Sequence, residues 1–146
     1  MIEYVNEGNL NEVLPLIRAY QEFYEVSDID DGRNESFFSQ FGEKSPFGCQ
    51  FLYRIDGRVV AFATVYFTFT STIAQKVGVM NDLYVVPDVR GKGFGKALIN
   101  YCLDYALSKG AFRLQWVTAM DNHVAQKLYD SLKTNKKPWL FYSYKN

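Results

Sequence analysis

Three glycines at every second position, Gly91, Gly93 and Gly95, mark the segment of this sequence that is best suited to chemistry. They lie between a run typical of a strand and a run typical of a helix, and they lack the Cβ atom that keeps a ligand away from the main chain. A helix N-terminus has unpaired N–H groups and a partial positive charge, which together bind phosphate groups. Basic side chains surround the glycines: Arg90, Lys92 and Lys96. The segment therefore predicts a phosphate or diphosphate site.

The spacing within this loop argues against two other nucleotide-binding motifs. A Walker-type loop needs Gly-x-x-x-x-Gly-Lys followed by Ser or Thr. Here Ala97 follows Gly95-Lys96, and Arg90 stands at the first glycine position. Without the hydroxyl that would bind Mg²⁺, nucleotide triphosphate hydrolysis is disfavoured. The dinucleotide fingerprint Gly-x-Gly-x-x-Gly fails as well, because the third glycine comes one position too early.

Three motifs in order along the chain carry a resemblance to a known family. The loop fits Arg/Gln-x-x-Gly-x-Gly/Ala, read at Arg90, Gly93 and Gly95. The flanking motifs are Asn81-Asp82-Leu83-Tyr84-Val85-Val86-Pro87 and Asn122-His123-Val124-Ala125-Gln126-Lys127-Leu128-Tyr129. Together they resemble the GNAT (Gcn5-related N-acetyltransferase) superfamily, which has Asp-Leu-Tyr-Val-x-Pro and Asn-x-x-Ala-x-x-Leu/Phe-Tyr at the corresponding places. The resemblance covers residues 77 to about 132.

The resemblance implies that the protein uses acetyl-CoA as a cosubstrate and acetylates an amine. It also implies that the fourth strand separates from the fifth and that the pantetheine arm lies in the gap. Carried over, the pantetheine and thioester bind at Leu83, Tyr84 and Val85, where a backbone N–H would stabilise the oxyanion. The diphosphate binds along the loop, at Arg90, Gly91, Lys92, Gly93, Phe94, Gly95 and Lys96. Asn122, at the start of the last helix, contacts the cofactor arm.

Two side chains are candidates for the proton transfers of such a reaction. Tyr129 is the candidate general acid, since a phenol can donate a proton to a departing thiolate at close range. The attacking amine must be neutral, yet an alkyl amine with a pKa of about 10.4 is almost entirely protonated at neutral pH. Asp82 is one candidate base, and Glu22, Glu25 or a water molecule are alternatives. Relatives often carry Glu immediately before this Asp, where the chain has Asn81, so the base is left open.

The acceptor is expected to be a primary amine on a small molecule, such as a polyamine or an amino acid. The stretch Tyr20-Gln21-Glu22-Phe23-Tyr24 resembles the helix that lines the acceptor site in family members acting on small amines. Glu22, Tyr24 and Glu25 are therefore the candidate substrate-binding residues. Residues 21–35 carry an excess of acidic side chains, which would attract a cationic amine or simply form a solvated loop.

Two alternative functions stay open at this stage. The acceptor could be a protein Lys or N-terminus, or the chain could be an acyl-CoA-binding module without catalysis. The presence of Tyr129 argues against the second alternative. Neither Cys49 nor Cys102 is placed to form a covalent enzyme intermediate, so direct attack within a ternary complex is expected.

The elements that must position these residues follow the order strand, one or two helices, three strands, helix, strand, helix, strand. Strands are predicted at 2–5, 50–55, 58–70, 77–86, 112–118 and 139–144, and a short second helix at 35–41. The three consecutive strands favour antiparallel pairing, and a strand–helix–strand step favours a right-handed parallel crossover. The predicted fold is α/β of the mixed α+β kind. By resemblance, it has a twisted, mostly antiparallel sheet of six to seven strands, about four flanking helices, and a splay between strands 4 and 5.

Composition is consistent with one globular domain over residues 1–146. Apolar residues make up 48% of the chain, and 16 basic residues balance 16 acidic ones, so nucleic acid and anionic membranes are not expected as partners. The two cysteines lack metal-ligand spacing, and no metal is expected. No signal peptide or membrane-spanning run is apparent, which favours the cytoplasm. Relatives commonly form homodimers, and a dimer is left open here.

Overall fold

The structure, a computed structural model, describes residues 1–145 and contains a five-stranded sheet at its centre. The strands, in spatial as well as chain order, are β1 (Ile2–Tyr4), β2 (Gly48–Ile55), β3 (Arg58–Thr70), β4 (Gln75–Val85) and β5 (Leu114–Gln115). Neighbours from β1 to β4 pair antiparallel, whereas β4 and β5 pair parallel. The mixed, mostly antiparallel sheet is confirmed, with five strands in the described residues instead of six to seven.

Four helices cover the two faces of this sheet: α1 (Leu10–Phe23), α2 (Asp31–Phe38), α3 (Phe94–Ser108) and α4 (His123–Asp130). Because side chains alternate along a strand, each strand supplies both faces. Leu52 and Phe62 pack with α1 and α2, while Phe51 on β2 packs with α3. Leu128 and Tyr129 bring α4 onto the same face as α3. Each face of the sheet is therefore covered by one apolar layer and one pair of helices.

The second helix begins earlier than the apolar spacing predicts. Asp30 is its N-cap, and the Asp30 carboxylate accepts a hydrogen bond of 2.9 Å from the backbone N–H of Arg33. Such a cap satisfies one of the N–H groups that have no partner within the helix. The helix consequently spans Asp31–Phe38 and not 35–41.

The prediction of a last strand at 139–144 is wrong for this structure. No residue from 135 to 145 belongs to a helix or strand, and the apolar side chains of 139–144 are exposed. Aromatic residues favour strands, but a strand also requires a neighbour that satisfies its backbone groups. This segment lies beside no other strand. The predicted strand at 112–118 similarly shortens to Leu114–Gln115.

Strands β4 and β5 separate soon after they meet, as the resemblance implied. Gly78 pairs with Leu114 and Val79 with Gln115, and residues 80–85 of β4 then continue without a β5 partner. On the other side of β4, Thr64 pairs with Asp82 and the next β3 residue pairs with Met80, so Asn81 forms a β-bulge. A bulge bends a strand and increases its local twist. The gap between β4 and β5 thus opens where β4 is bent.

Candidate active site

The backbone of β4 presents hydrogen-bonding groups to the gap. The Val86 N–H donates to the Val60 carbonyl on β3 at 2.9 Å, which fixes which edge of β4 faces β3. Since alternate residues of a strand face the same edge, the N–H and C=O groups of Leu83 and Val85 face the gap. The backbone of Tyr84 faces β3, and the Tyr84 side chain packs against α1. Of the three predicted pantetheine-binding residues, two therefore offer main-chain groups to the gap.

The glycine loop forms the N-terminus of α3. Gly91 and Gly93 have φ angles of 79° and 90°, in the left-handed region that favours glycine, and Gly93 is the N-cap. The Ala97 N–H donates to the Gly93 carbonyl, so the N–H groups of residues 94–96 precede the first intrahelical bond. The side chains of Lys92 and Lys96 are exposed beside them. The N–H groups and ammonium groups suit a doubly charged diphosphate.

Gly95 is required for a different reason, which is close packing. A Cβ atom at this position would lie 3.3 Å from Leu128 Cδ2 on α4, and 3.8 Å and 3.9 Å from side-chain atoms of Val85 and Leu83 on β4. The start of α3, the middle of α4 and the gap-facing end of β4 thus meet at one residue. A larger side chain would push the predicted diphosphate loop away from the gap.

Arg90 joins the loop to the end of β4. Its Nε donates to the Val85 carbonyl at 2.8 Å, and its guanidinium carbon lies 5.5 Å from the centroid of the Tyr84 ring. The side chain therefore lies along the mouth of the gap. The guanidinium supplies positive charge there. Its hydrogen bond also engages the Val85 carbonyl, which is one of the carbonyl groups that face the gap.

Tyr129, the predicted general acid, lies on α4 against the fifth strand. Its ring packs on Trp116, which directly follows β5, with the ring centroids 5.4 Å apart. Burial raises the pKa of the Tyr129 hydroxyl above its usual value, and Tyr24 adds to this effect. A phenol is protonated at neutral pH even without this shift, as a general acid must be. Asn122 caps α4, with its side-chain oxygen accepting from the Ala125 N–H at 3.2 Å.

Asp82, the predicted base, is buried with 5% of its surface exposed. It ends a row of polar residues that crosses three strands, because Gln50 pairs with Thr64 and Thr64 with Asp82. Asn81 Nδ2 donates to the Asp82 carboxylate at 2.8 Å. Burial raises the pKa of Asp82 above its usual range, while interactions with Thr64, Asn81 and Tyr20 lower it. A carboxylate with a raised pKa is a better proton acceptor.

Tyr20 and Tyr24, at the end of α1, interact electrostatically with the two candidate catalytic groups, Asp82 and Tyr129. Their rings are 5.0 Å apart. The pKa of Tyr20 is raised by burial, and the nearby Asp82 and Tyr129 contribute to the shift. Tyr20 belongs to the stretch that resembles the acceptor-lining helix, but neither it nor Thr64 and Trp116 was predicted as a site residue.

A cleft of about 340 Å³ opens between the end of α1 and the start of α4. It is lined by Phe23, Tyr24, Glu25, Ala119, Asp121 and Asn122. Two of the three predicted substrate-binding residues, Tyr24 and Glu25, thus line the cleft. The third, Glu22, is not among the lining residues and faces Arg18 at 3.5 Å. Asp121 adds a second carboxylate to the cleft.

Most of the other acidic residues near α1 and α2 form ion pairs with neighbouring cations or accept hydrogen bonds from backbone groups. Asp31 pairs with Arg18 at 3.0 Å, and Asp28 lies 3.6 Å from Arg33. Asp30 caps α2, as described above. The local excess of negative charge therefore exerts less attraction on a ligand than the residue count suggests. Glu25 and Asp121 remain as the carboxylates that line the cleft.

Residues 1–145 contain no group of three or more His, Cys, Asp or Glu side chains arranged to hold a metal ion. Within the same residues, no helix has both the length and the apolar character needed to cross a bilayer.

Comparisons with known proteins agree on one family. The sequence model described as Acetyltransferase (GNAT) family matches residues 13–133. The uncharacterized N-acetyltransferase YhfO of Bacillus subtilis is 33% identical over 119 residues, covering 81% of this chain and 78% of that protein. The bovine thialysine N-epsilon-acetyltransferase is 28% identical over 140 residues, covering 90% of this chain and 82% of that enzyme.

Solved structures of other proteins share this fold. The structure of AAC(6')-Iy in complex with a CoA-S-monomethyl-acetylneamine bisubstrate analogue superposes with a TM-score of 0.84. The comparison covers 100% of this chain and 97% of the other, at 18% identity. Identity at this level establishes a common fold and leaves the acceptor undefined.

Proposed function

Because the chain belongs to the acetyltransferase (GNAT) family and is an acetyl-CoA-dependent acetyltransferase, we propose that its acceptor is a primary amine on a cationic small molecule. The observation that carries this proposal is the cleft between α1 and α4, where Glu25 and Asp121 provide two carboxylates. Tyr24 lines the same cleft and influences the pKa of Tyr129. An amine held in the cleft would therefore lie near the candidate acid.

The residues of the loop and of β4 fit the two ends of acetyl-CoA. The unpaired N–H groups at the start of α3, with Lys92 and Lys96, suit the diphosphate. The gap-facing backbone groups of Leu83 and Val85 suit the pantetheine amides, and Asn122 stands at the cleft end of α4. Acetyl-CoA supplies an activated thioester, and the chain has to orient it, exclude water and move two protons.

Asp82 and Tyr129 are the groups that we assign to those proton transfers. Asp82 accepts the proton of the attacking amine, directly or through water, since burial makes its carboxylate more basic than usual. Tyr129 donates to the departing sulfur, since a phenol is protonated at neutral pH and can release its proton to a thiolate at close range. The amine attacks directly within a ternary complex. Both cysteines are buried, and burial raises the pKa of Cys49 to about 12, which does not suit a nucleophile.

The Asp82→Asn substitution is expected to lower kcat by less than the roughly 100-fold that a positioned general base typically contributes, because water can partly replace the carboxylate. The acidic limb of the pH profile should disappear in this variant. The Tyr20→Phe variant loses an interaction that lowers the pKa of Asp82. The pKa of Asp82 should therefore rise, and the acidic limb of the pH profile should shift to higher pH. Steady-state rates measured across pH with one acceptor test both effects, because the titration of that acceptor is then common to all variants.

The stability of Asp82→Asn provides the control. A carboxyl whose pKa is raised by folding stabilises the protein below its unfolded pKa, and this contribution is lost as pH rises through the folded pKa. At neutral pH, Asp82→Asn should consequently melt at the same temperature as the wild type or higher. A lower melting temperature of Asp82→Asn would mean that unfolding causes the loss of rate. An unchanged acidic limb of its pH profile would mean that Asp82 is not the base.

Replacing Glu25 by Gln is expected to raise the KM for a diamine about fivefold, as for the loss of one partly exposed charge pair of about 1 kcal/mol. The kcat should change little, because Glu25 binds the acceptor and takes no part in proton transfer. The matched control is Asp104→Asn, which removes the same charge from an exposed position on α3. If both substitutions raise KM equally, the effect is a general charge effect and the cleft is not the acceptor site.

The experiment that tests the proposed function is an acceptor panel with acetyl-CoA, followed by the release of thiol. The panel contains polyamines, basic amino acids including thialysine, an aminoglycoside, neutral amines, and a lysine-containing peptide. The bovine relative is named for the Nε of thialysine, which supports including side-chain amines. Release with cationic small amines is the expected result. Release only with the peptide, or with no member of the panel, would contradict the proposal.

A further inference from the structure

A buried polar row crosses the centre of the sheet on the face that packs against α1 and α2. Gln50, Thr64 and Asp82 lie opposite one another on β2, β3 and β4, and their exposed fractions are 0%, 0% and 5%. Leu52 and Phe62, two positions along β2 and β3, belong to the apolar layer on this face. A buried polar group destabilises a fold unless it is hydrogen-bonded. Packing alone therefore does not explain three polar residues in this layer.

The hydrogen bonding of this row is directed toward Asp82. The Gln50 Nε2 donates to the Thr64 Oγ1 at 3.1 Å. A hydroxyl has one proton and can accept while it donates, so the Thr64 proton stays free for the carboxylate on the next strand. Residues directly opposite in an antiparallel pair have Cβ atoms about 4.5–5.5 Å apart, which brings a hydroxyl close to a carboxylate. Since an ionised carboxylate only accepts hydrogen bonds, Asp82 favours this direction over the reverse.

The other end of the Gln50 amide has no partner. Gln50 Oε1 is buried and accepts no hydrogen bond from any group within residues 1–145. An unpaired buried acceptor is destabilising, and most buried polar groups avoid this state. A side chain of similar length without an amide, such as methionine, would not have this defect. The amide is therefore better explained by what its nitrogen does for Thr64 than by a gain in stability.

Asp82 also has neighbours outside the row. The bulge at Asn81 places an amide beside the carboxylate, and Tyr20 on α1 and Tyr66 on β3 are the titratable side chains that interact with it. Burial, together with Asp82, raises the pKa of both tyrosines, so they stay neutral while Asp82 titrates. Among residues 1–145, no Lys, Arg or His from any element contributes to the pKa shift of Asp82. Neutral donors, and not a cation, therefore hold this carboxylate.

We propose that Thr64 and Gln50 are positioning residues for Asp82: Gln50 orients the Thr64 hydroxyl, and this hydroxyl holds the carboxylate in the orientation that accepts the proton of the attacking amine. The inference rests on the proposed role of Asp82 as the base. The proton passes from the amine nitrogen to a carboxylate oxygen of Asp82, and neither Thr64 nor Gln50 gains or loses a proton.

The same arrangement influences the charge of Asp82. A hydrogen-bond donor to the ionised form favours that form, and Thr64 accordingly lowers the pKa of Asp82 while burial raises it. A base has to be ionised before the amine arrives and basic enough to take its proton. The row offsets part of the effect of burial and so serves the first of these two requirements.

Thr64→Val tests the row at its centre, because it removes the hydroxyl and keeps a side chain of nearly the same shape. The pKa of Asp82 should rise, as followed by carbon-13 NMR of labelled aspartate with the signal assigned through Asp82→Asn. The acidic limb of the pH profile should shift to higher pH with it. On the plateau, kcat should fall at least about threefold, because the carboxylate loses its fixed orientation.

Two variants of the same residue type serve as controls. Thr64→Ser restores the hydroxyl and should behave as the wild type in both measurements. Thr68→Val makes the same change at an exposed position on β3 and should alter neither the pKa of Asp82 nor kcat.

Gln50→Met tests the row through its other member. The pKa of Asp82 and the acidic limb should move in the same direction as in Thr64→Val, by a smaller amount, because the Thr64 hydroxyl remains but is no longer oriented. The melting temperature at neutral pH should be unchanged or higher, because the unpaired Gln50 oxygen is removed. A purely structural Gln50 would give the opposite pattern, a lower melting temperature with the limb in place, and would overturn its assignment.

The two readouts separate a failure of this inference from a failure of the proposed function. An Asp82 pKa that does not move in Thr64→Val, or a Thr64→Ser variant that behaves like Thr64→Val, would overturn the inference while leaving Asp82 as the base. An Asp82 pKa that rises while the acidic limb stays in place would also overturn it, because Asp82 would then not be the base. That last result is the failure of the proposed function, and the NMR titration identifies it.

Discussion

Tyr129→Phe is expected to lower kcat about 100-fold, the lower end of the range for removing a positioned general acid. The affinity for coenzyme A should stay unchanged, because the ring still packs on Trp116 and only the hydroxyl is lost. The physical reason is that the departing sulfur would leave as a thiolate without a proton donor. Single-turnover rates at saturating acetyl-CoA, together with calorimetric titration of coenzyme A, separate the two quantities.

The matched control for this variant is Tyr142→Phe, which removes a phenol hydroxyl from an exposed position in the C-terminal segment. Its kcat should equal that of the wild type, because an exposed hydroxyl loses no buried hydrogen bond. If Tyr129→Phe lowers kcat by less than about threefold with coenzyme A affinity intact, Tyr129 is not the general acid. Water or the unaided departure of the thiolate would then have to take its place.

Gly93→Ala is expected to weaken coenzyme A binding by about 10- to 100-fold, the equivalent of losing one charge-assisted hydrogen bond. Gly93 has a φ of 90° and caps α3, so an added Cβ both strains the loop and narrows the approach to its N–H groups. At saturating acetyl-CoA the kcat should approach that of the wild type, since the proton-transfer groups are unaffected. Titration calorimetry and steady-state kinetics measure the two effects.

Gly57→Ala is the control for backbone strain. Gly57 has a φ of 79°, and an added Cβ there would meet nothing within 4 Å, as at Gly93. It follows Asp56 in the hairpin between β2 and β3 and lies outside the loop. Both variants should lose similar stability, while only Gly93→Ala should lose affinity. Equal loss of affinity in both would mean that strain, and not access to the N–H groups, accounts for the effect.

Short-range patterns predicted the elements that form the site. The glycine loop, the motif on β4 and the motif on α4 each lie within one strand, turn or helix, where local spacing determines the conformation. The strands predicted at 50–55 and 58–70 agree with β2 and β3 for the same reason, because only the turn Asp56-Gly57 separates them. The family resemblance then supplied the splay between β4 and β5, which no local pattern contains.

Contacts between distant residues could not be predicted from the sequence. The acidic excess near α1 suggested a cation-binding surface, but Arg18 reaches Asp31 across 13 positions and neutralises much of it. Asn81 forms a bulge only because of the register between β3 and β4. Arg90 bonds to the Val85 carbonyl, a contact that depends on how the loop folds back.

The C-terminal segment shows the limit of strand propensity. Trp139–Tyr144 has the residues of a strand, yet a strand forms only where another strand offers its edge. The cleft gives a second example, because Asp121 and Glu25 are far apart in the sequence and line the same cleft only in the folded chain. In both cases the missing information is the identity of the neighbour and not the preference of the residue.

The central physical claim is that the backbone N–H groups at the start of α3 bind the diphosphate of the cosubstrate. It is tested most directly by titrating the purified protein with coenzyme A and, separately, with pantetheine, which lacks the diphosphate. We expect heat of binding with coenzyme A, and binding of pantetheine that is weaker by more than about tenfold. The absence of heat with coenzyme A at high micromolar concentrations, or equal affinity for the two ligands, would contradict the claim.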